Sequence, residues 1–327
     1  MKLAFKVLVT KNMPKDGFKE LDKHCDLTIY SGAVISNDEL LELAPSLDGI
    51  IASGVKIKED FIKKATNLKI ISRYGVGYDS IDIQAATKAG VVVTNLPDTV
   101  TESTAELTFA LMLTLSRKII EANQIARSQK SSWDSTFILG NSLYDKKLGI
   151  VGFGRIGQAV AKRAKTFGME IYYYDLKQID ANKLDFKATY LPLEQLLTSM
   201  DYITLHLPYL TSTHHLISIK QLASMKKTAY LINAARGGLV NQEALIQALQ
   251  NKEIAGAALD VFEDEPNVPK ELSQLPNLVL TPHIGTATAE TRRKMSQEAS
   301  NRVLAIIKGE VPPSIVNPDY QRYLKQS

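Results

Sequence analysis

The chain of 327 residues is 45% apolar and 23% charged, which is typical of a globular protein and suggests about two domains. Its net charge of +4, with both signs mixed along the chain, argues against a dedicated nucleic-acid surface. The single cysteine, Cys25, excludes an internal disulfide framework and favours a cytoplasmic protein, and the sequence has neither a membrane-spanning apolar run nor a metal-ligand cluster.

The first hundred residues alternate between short apolar runs and segments with helical periodicity. The apolar runs predict strands over 5–10, 27–30, 49–52, 68–72 and 91–95. The segments between them predict helices over 14–23, 37–43, 58–65 and 83–89. Asn37 is a plausible N-cap for the second of these helices. Such alternation is typical of an α/β unit with a parallel sheet.

A longer helix is predicted over 102–125, after the stretch Asn95-Leu96-Pro97-Asp98 breaks the alternation. Thr101 precedes this helix as its predicted N-cap. Because the helix is apolar on nearly every side, we expect it to be covered by the junction between two domains or by a second subunit.

The segment 147–175 carries the most informative motif of the chain. It reads KLGIVGFGRIGQAVAKRAKTFGMEIYYYD, which predicts a buried strand, a glycine turn, a helix and a second strand. Gly152, Gly154 and Gly157 have the G-x-G-x-x-G spacing that lets a pyrophosphate approach a helix N-terminus. Asp175 ends the second strand, where a carboxylate accepts hydrogen bonds from a ribose diol and repels a 2′-phosphate. The segment therefore predicts NAD as the cofactor rather than NADP.

After Asp175 the alternation of strands and helices resumes. The remaining elements are predicted strands over 202–205, 229–233, 254–259 and 278–281, and predicted helices over 193–200, 218–224, 242–250 and 286–307. Because the first unit ends before residue 100, we expect the last helix to return to it.

The predicted fold is therefore α/β, with two Rossmann-like domains built on parallel sheets. The substrate-binding domain would be discontinuous and flavodoxin-like, and would comprise residues 1–98 and 286–327. The NAD-binding domain would comprise residues 99–285, with a cleft between the two.

Polar side chains follow three predicted strands of the second unit. Arg236 follows the first strand, Asp260 and Glu265 follow the second, and His283 follows the third. Ligands of open parallel sheets bind beyond the carboxyl ends of the strands. Reduction of a 2-keto acid by hydride transfer needs such a set. A cation holds the carboxylate and polarises the keto oxygen, a general acid protonates the new alkoxide, and a carboxylate favours the protonated acid.

Four further histidines lie outside this set, and the sequence is informative about three of them. His214 and His215 are adjacent in the sequence, so we expect them to point apart on either a helix or a strand. This argues against a shared metal ligand role. His206 is expected to be structural.

The sequence resembles the D-isomer-specific 2-hydroxyacid dehydrogenase family. The resemblance rests on four ordered stretches, VGFGRIGQAVA, YLINAARGGLVNQEAL, GAALDVFEDEP and NLVLTPHIGTAT, and it extends through SRYGVGYDSID and TESTAELTFALML. It implies an NAD-dependent oxidoreductase that reduces a small 2-keto acid to the D-2-hydroxy acid. It also implies a homodimer that is formed through the region 102–125.

The resemblance implies a role for each residue at a matching position. Arg236 would bind the substrate, His283 would be the catalytic acid–base, and Glu265 would be its carboxylate partner. Asp260 would help to set the behaviour of the nicotinamide. The backbone of Val76 and Gly77 would receive the substrate carboxylate. The other implied cofactor contacts are Gly152, Gly154, Arg155, Ile156, Gly157, Asp175, Leu207, Pro208, Thr213, Ala234, Ala235 and Gly285.

Two features favour an unphosphorylated substrate. Phosphoglycerate dehydrogenases often have an arginine where this chain has Ala52, although Lys56 is retained. The chain also ends at Ser327, so we expect no regulatory domain after the last helix. Glyoxylate, hydroxypyruvate or a 2-ketogluconate-like sugar acid would then be the substrate. Phosphoglycerate dehydrogenase activity, 2-ketogluconate reduction and a non-enzymatic, NADH-sensing corepressor are the alternatives.

Overall fold

The computed structural model describes residues 5–128 and 134–324. The chain divides into two compact units, one formed by Met1–Val100 with Ala287–Ser327 and the other by Thr101–Thr286. Each unit is built on a parallel sheet, so the predicted fold class is confirmed. The assignment of substrate binding to one unit and NAD binding to the other stays a prediction.

The strands are short and largely buried, which is typical of parallel sheets covered on both faces. In chain order they are β1 Lys6–Val9, β2 Asp26–Ile29, β3 Gly49–Ala52, β4 Ile70–Arg73, β5 Val92–Thr94, β6 Lys147–Val151, β7 Glu170–Tyr174, β8 Thr189–Tyr190, β9 Tyr202–Leu205, β10 Tyr230–Asn233, β11 Gly256–Leu259 and β12 Leu278–Leu280.

Helices connect most of these strands. In chain order they are α1 Asn37–Leu43, α2 Glu59–Lys64, α3 Ile83–Lys88, α4 Thr101–Ser116, α5 Ile119–Ser128, α6 Arg155–Thr166, α7 Leu193–Ser199, α8 Ile219–Ser224, α9 Gln242–Gln250, α10 Lys270–Ser273 and α11 Ala289–Ile307. Among the helices described, none combines the length and apolar character that a membrane span requires.

The first unit contains a five-stranded sheet in the order β2-β1-β3-β4-β5, with every neighbouring pair parallel. The helix α11 packs against β3 and β4 of this sheet. The buried Ser72 hydroxyl donates to the carbonyl of Ala299 in α11 at 3.1 Å, which fixes the helix on the sheet. The last helix thus completes the unit that the first hundred residues begin.

The second unit contains a seven-stranded sheet in the order β12-β11-β10-β9-β6-β7-β8, and it is parallel throughout. The strand order reverses direction at β6, so the glycine turn that follows β6 lies at a topological switch point. Such a point is where open parallel sheets bind their ligands.

Three local predictions for the first unit need correction. The segment 14–23 forms two 3₁₀ helices, Lys15–Phe18 and Leu21–Lys23, instead of one helix. The N-cap of α1 is Ser36 rather than Asn37, because Glu39 completes a reciprocal capping box with Ser36. The helix α11 begins three residues late, because Thr288 caps it by accepting from the N–H of Thr291.

The long helix predicted over 102–125 is two helices, α4 and α5. Lys118, between them, has a φ of 50°, which ends the regular backbone of α4. The Ser116 hydroxyl donates to the Tyr202 hydroxyl at 2.9 Å, and the Ser116 carbonyl accepts from the N–H of Asn141 at 2.7 Å. The helix α4 packs on α6 and on β10, β11 and β12 of its own unit, and its cover by a domain junction or a second subunit stays a prediction.

The strand β8 and the helix α10 were not predicted. They have two and four residues, so they are too short to produce a recognisable periodicity.

We predict that Asn317 ties the C-terminal segment to β5. Its Oδ1 accepts from the N–H of Val93 at 2.8 Å, and its Nδ2 donates to the carbonyl of Val91 at 2.9 Å. Asn317→Ala leaves these buried groups unpaired and should lower the free energy of unfolding by about 2–5 kcal/mol in urea denaturation. The control Gln321→Ala, at an exposed position of the same segment, should stay within about 0.5 kcal/mol of the wild type. Equal stabilities for the two variants would contradict this role.

Candidate functional site

The glycine turn after β6 is shaped by two close backbone approaches. Gly152 has a φ of 94°, and a Cβ atom there would lie 2.7 Å from the carbonyl carbon of His206. A Cβ at Gly157 would overlap the carbonyl oxygen of Gly152. By contrast, a Cβ at Gly154 would meet nothing within 4 Å. The first and third glycines are therefore required by the fold, whereas the second leaves open space in front of α6.

The N-terminus of α6 faces this open space. Gly154 is its N-cap and provides no side chain to cap it, and Arg155 and Ile156 are its first residues. The backbone N–H groups and the helix dipole at such an end favour an anionic group. The residues predicted to contact a pyrophosphate thus have the space and the donors that a dinucleotide requires.

Asp175 follows β7 and is joined to the glycine turn. Its Oδ2 accepts from the N–H of Phe153 at 2.7 Å, and its Oδ1 accepts from the N–H of Leu176 at 2.7 Å. Carboxylate oxygens have more than one acceptor position, so Asp175 retains capacity for a ribose hydroxyl. The half-buried carboxylate therefore orders the turn at the place where the ribose is predicted to bind.

The segment after β9 contains Leu207, Pro208 and Thr213. The Thr213 hydroxyl accepts from the N–H of Leu210 at 2.8 Å and donates to the carbonyl of Pro208 at 2.9 Å, which closes the segment into a compact loop. Leu207 lies beside Gly152, with its Cδ2 3.0 Å from the position that a Cβ there would take. Leu207 is therefore next to the glycine turn, and the cofactor contacts of the three residues stay a prediction.

The expectation that His214 and His215 point apart was wrong. Their rings are stacked, with centroids 3.8 Å apart. His215 has a φ of 50°, and this left-handed backbone turns its ring onto that of its neighbour. The His215 ring lies 3.0 Å from a carboxylate oxygen of Glu263.

His206 lies at the base of the glycine turn. Burial lowers its pKa to about 3, so its imidazole is neutral at physiological pH. Its Nε2 is 3.0 Å from the hydroxyl of Thr204. The geometry supports the structural role that was expected.

Arg236 stands on a turn that is held at both ends by Asn233. The buried Asn233 amide donates to the carbonyl of Arg236 at 2.8 Å and accepts from the N–H of Ala235 at 3.1 Å. The guanidinium of Arg236 donates to the carbonyl of Ala235 at 2.7 Å. Ala234 is buried and Ala235 half-buried beside it. Sequence reasoning did not assign Asn233 a role, because an asparagine that ends a strand has no distinctive signature.

Gly237 brings the Arg236 turn against the loop that follows β11. A Cβ atom at Gly237 would overlap the carbonyl group of Phe262. Glu265 then accepts from the N–H of Phe262 at 3.1 Å, so the backbone that touches Gly237 also holds the Glu265 carboxylate. This contact sets the separation between Arg236 and Glu265.

His283 and Glu265 form a direct pair. The Nδ1 atom of His283 is 2.7 Å from Oε2 of Glu265, and the imidazole is 49% exposed. Burial raises the pKa of Glu265. However, the hydrogen bond and charge of His283, the N–H of Phe262 and the charge of Arg236 outweigh burial and hold that pKa below its ordinary value. Because Nδ1 faces the carboxylate, Nε2 is the ring nitrogen that faces away from it.

Asp260 anchors the loop that carries His283. Its buried carboxylate accepts from the hydroxyl of Thr281 at 2.6 Å, and from the N–H groups of Ile284 and Gly285 at 2.8 Å each. Burial raises the pKa of Asp260, and these hydrogen bonds act in the opposite direction. The role of Asp260 at the nicotinamide stays a prediction, but its anchoring role was not foreseen, and neither was Thr281.

The structure therefore brings Arg236, Glu265 and His283 together in the second unit, which also contains the glycine turn and Asp175. A fixed cation beside an imidazole–carboxylate pair can hold a carboxylate and move a proton. Val76 and Gly77 belong to the first unit, in the turn after β4.

Residues 109–285 match the family model described as D-isomer specific 2-hydroxyacid dehydrogenase, NAD binding domain. The chain is also 44% identical to the glyoxylate reductase of Thermococcus litoralis over 321 residues, which cover 96% of this chain and 97% of that protein.

Solved structures of similar proteins contain either cofactor. An NADPH-dependent glyoxylate/hydroxypyruvate reductase from Sinorhizobium meliloti, in complex with NADP and malonate, has a TM-score of 0.86 and 31% identity over 99% of both chains. A D-lactate dehydrogenase from Aquifex aeolicus, complexed with NAD and lactic acid, has a TM-score of 0.84 and 32% identity. This alignment covers 95% of this chain and 98% of that one. These relatives leave the choice between NAD and NADP open.

We predict opposite consequences for two glycine substitutions in the turn. Gly154→Ala has room for its methyl group, so the melting temperature should be unchanged. That methyl group should occupy the space in front of α6 and weaken NADH binding roughly tenfold, or about 1.4 kcal/mol. Gly157→Ala overlaps backbone and should cost about 1–3 kcal/mol of folding stability. Thermal melts and NADH fluorescence titrations measure both effects. Unaltered NADH affinity in Gly154→Ala would rule out this position for the pyrophosphate.

Proposed function

The chain belongs to the D-isomer-specific 2-hydroxyacid dehydrogenase family and is an oxidoreductase, and we propose that it reduces a small, unphosphorylated 2-keto acid to the D-2-hydroxy acid with NADH. The observation that carries this proposal is the 2.7 Å contact between His283 and Glu265. The loop that carries Glu265 is packed against Gly237, next to Arg236. This set supplies a proton donor and a cation, as the reaction requires.

Glyoxylate and hydroxypyruvate are the substrates that we propose first. The names of the relatives support them, and Ala52 lacks the cation that a phosphorylated substrate would use. Phosphoglycerate and 2-ketogluconate are the alternative substrates. An NADH-sensing corepressor is the non-enzymatic alternative, and it would bind NADH without oxidising it in the presence of any 2-keto acid.

We assign the chemistry to three side chains. Arg236 presents a planar fork of donors, which suits a carboxylate and the adjacent keto oxygen together. His283 gives the proton on Nε2 to the developing alkoxide, and the Glu265 carboxylate on Nδ1 stabilises the protonated ring. The reduced nicotinamide, when bound, supplies the hydride. Asp260 keeps His283 in place through the loop 281–285.

The cofactor would be held by the residues that surround the glycine turn. We assign the pyrophosphate to Gly154, Arg155 and Ile156, and the ribose to Asp175. The remaining proposed contacts line the adenosine and nicotinamide sides: Leu207, Pro208, Thr213, Ala234, Ala235, Asp260 and Gly285. The open space at Gly154 supports this assignment.

We further propose that the enzyme is a homodimer. Large apolar side chains are exposed on α5 and on the segment before β6, namely Ile119, Ile120, Phe137, Leu139 and Tyr144. Exposed apolar side chains in one region of a protein are typical of an interaction surface. The cytoplasmic location also remains a proposal, which the unpaired Cys25 supports.

Replacing His283 tests the proton donor. His283→Ala should lose about 10²–10⁴-fold in kcat for glyoxylate reduction, because the variant lacks the group that we assign as proton donor. NADH affinity should survive, because His283 does not hold the cofactor. The control His24→Ala, at an exposed position of the first unit, should retain wild-type kinetics. If His283→Ala turns over at nearly the wild-type rate, then the proton comes from another group.

Glu265→Gln tests the charge partner of His283. The substitution keeps the shape of the side chain but removes the carboxylate that stabilises the protonated imidazole. The same interaction with His283 lowers the pKa of Glu265 in the wild type. Reduction requires the protonated ring, so the rate of reduction should fall off at a lower pH than in the wild type. A pH profile of kcat measures the shift. An unmoved profile would make Asp260 or Asp264 the better partner.

Replacing Asp175 tests the choice of cofactor. The wild type should prefer NADH to NADPH, because the carboxylate repels a 2′-phosphate. Asp175→Asn retains an acceptor for the N–H of Phe153 but removes the charge, so it should raise kcat/KM with NADPH relative to NADH by about tenfold or more. Asp180→Asn, at an exposed position after the same strand, is the control. Comparable wild-type efficiency with both cofactors would refute the assignment.

A further inference from the structure

The loop after β11 carries two glutamates with different partners. Glu265 binds the imidazole of His283 through Oε2. Glu263 accepts through Oε1 from the N–H of Gln242, the first residue of α9, at 2.8 Å. Only Asp264 separates the two glutamates in the chain. The short stretch 263–265 is therefore held at one end by α9 and at the other by the imidazole of His283.

A second imidazole binds the same oxygen of Glu263. The Nε2 atom of His215 is 3.0 Å from Oε1 of Glu263, and both side chains are half-buried. The backbone N–H of His215 donates to the carbonyl of Gly238 at 2.8 Å, which fixes this residue to the turn that follows Arg236. Donors from two separate segments of the chain thus converge on one carboxylate oxygen. Such a network holds a side chain more firmly than a single contact does.

The amide of Asn241 determines which nitrogen of His215 carries the proton. Its Oδ1 accepts from the N–H of Ala244 at 2.9 Å, so its Nδ2 is the atom that faces His215. This Nδ2 is 3.3 Å from Nδ1 of the imidazole. An amide nitrogen is only a donor, so Nδ1 accepts and the proton of the neutral ring is on Nε2, toward Glu263. The contact between His215 and Glu263 is therefore a hydrogen bond that needs no charge on the imidazole.

The backbone of the loop connects the position of Glu263 to that of Glu265. A Cβ atom at Gly237 would overlap the carbonyl group of Phe262 and crowd the nitrogen of Glu263, so the backbone is in close contact at this point. The N–H of Phe262 donates to Oε1 of Glu265 at 3.1 Å, which leaves Oε2 for His283. A shift of Glu263 would move the neighbouring N–H that orients the Glu265 carboxylate.

We propose that Glu263 and His215 are positioning residues for the Glu265 carboxylate. They hold the loop 262–265 from α9 and from the segment at His215, and so keep Oε2 of Glu265 within hydrogen-bond distance of His283. Glu263 acts in this role as a hydrogen-bond acceptor and not through its negative charge. The effect on turnover rests on the proposed function, in which His283 is the proton donor and Glu265 its partner.

Glu263→Ala tests this role through the pH profile of turnover. Without the acceptor the loop is released from α9, and the hydrogen bond between Glu265 and His283 weakens. The alkaline limb of kcat for glyoxylate reduction should move down by about 0.5–1 pH unit, because less of the charge pairing remains. The KM for NADH should change less than about twofold. His215→Ala should give a smaller shift in the same direction, and it carries the comparison if Glu263→Ala does not fold.

Glu263→Gln separates position from charge. Glutamine keeps an oxygen that accepts from the N–H of Gln242 and from Nε2 of His215, so the pH profile should match that of the wild type. The control Glu243→Ala removes an exposed acid from the first turn of α9 and should also leave the profile unmoved. Equal shifts in Glu263→Gln and Glu263→Ala would overturn the proposal, since the charge of Glu263 would then account for both.

A double-mutant cycle tests whether Glu263 acts through Glu265. In the Glu265→Gln background the carboxylate partner of His283 is already absent, so adding Glu263→Ala should produce little further shift of the pH profile. The other charges that act on the pair, Arg236 on Glu265 and Asp260 on His283, are the same in all of these variants. Fully additive shifts would contradict the proposal, because Glu263 would then influence His283 by another route.

An NMR titration separates this proposal from the proposed function, because it needs no substrate. The ring signals of His283, assigned by their loss in His283→Ala, should titrate at a lower pH in Glu263→Ala than in the wild type, Glu263→Gln and Glu243→Ala. If the wild type reduces no 2-keto acid but shows this pattern, the proposed function fails and the positioning role stands. If the wild type reduces glyoxylate and the ring titrates alike in every Glu263 variant, the positioning role fails and the proposed function stands.

Discussion

The candidate site depends on a buried carboxylate, Asp260, and on the hydrogen bonds that it accepts. A charge in the interior is costly unless donors satisfy it, and here a hydroxyl and two backbone N–H groups do so. Those donors belong to the loop that carries His283, which has a φ of 52°. The need to satisfy one carboxylate therefore maintains the uncommon backbone that presents the imidazole to Glu265.

Much of the fold could be predicted from the sequence, because parallel strands are continuous apolar runs and their helices are periodic. The bounds of β3, β9 and α9 agree with prediction to the residue. The misses have local causes. Ser116 ends α4 through contacts with Tyr202 and Asn141, which are remote in the sequence. The periodicity of the helix itself therefore does not indicate the break.

The residues of the candidate site also divide into those that the sequence pattern predicts and those that only tertiary contacts reveal. The glycine turn, Asp175, Arg236 and His283 could be found because their chemistry demands particular residue types at particular places. Asn233 and Thr281 could not be found in this way, because Asn233 holds backbone groups of its own turn and Thr281 donates to the carboxylate of Asp260. An asparagine and a threonine are ordinary residues until tertiary structure shows which group each one binds.

The discontinuous first unit constrains how the protein is made. The buried residues Met295, Ala299 and Val303 of α11 cover part of a sheet whose strands all precede residue 95. During translation these strands leave the ribosome long before their covering helix, while the second unit emerges as an uninterrupted segment. The second unit can thus fold first, and the apolar face of the first sheet must wait for the end of the chain, a period in which chaperones have an exposed surface to bind.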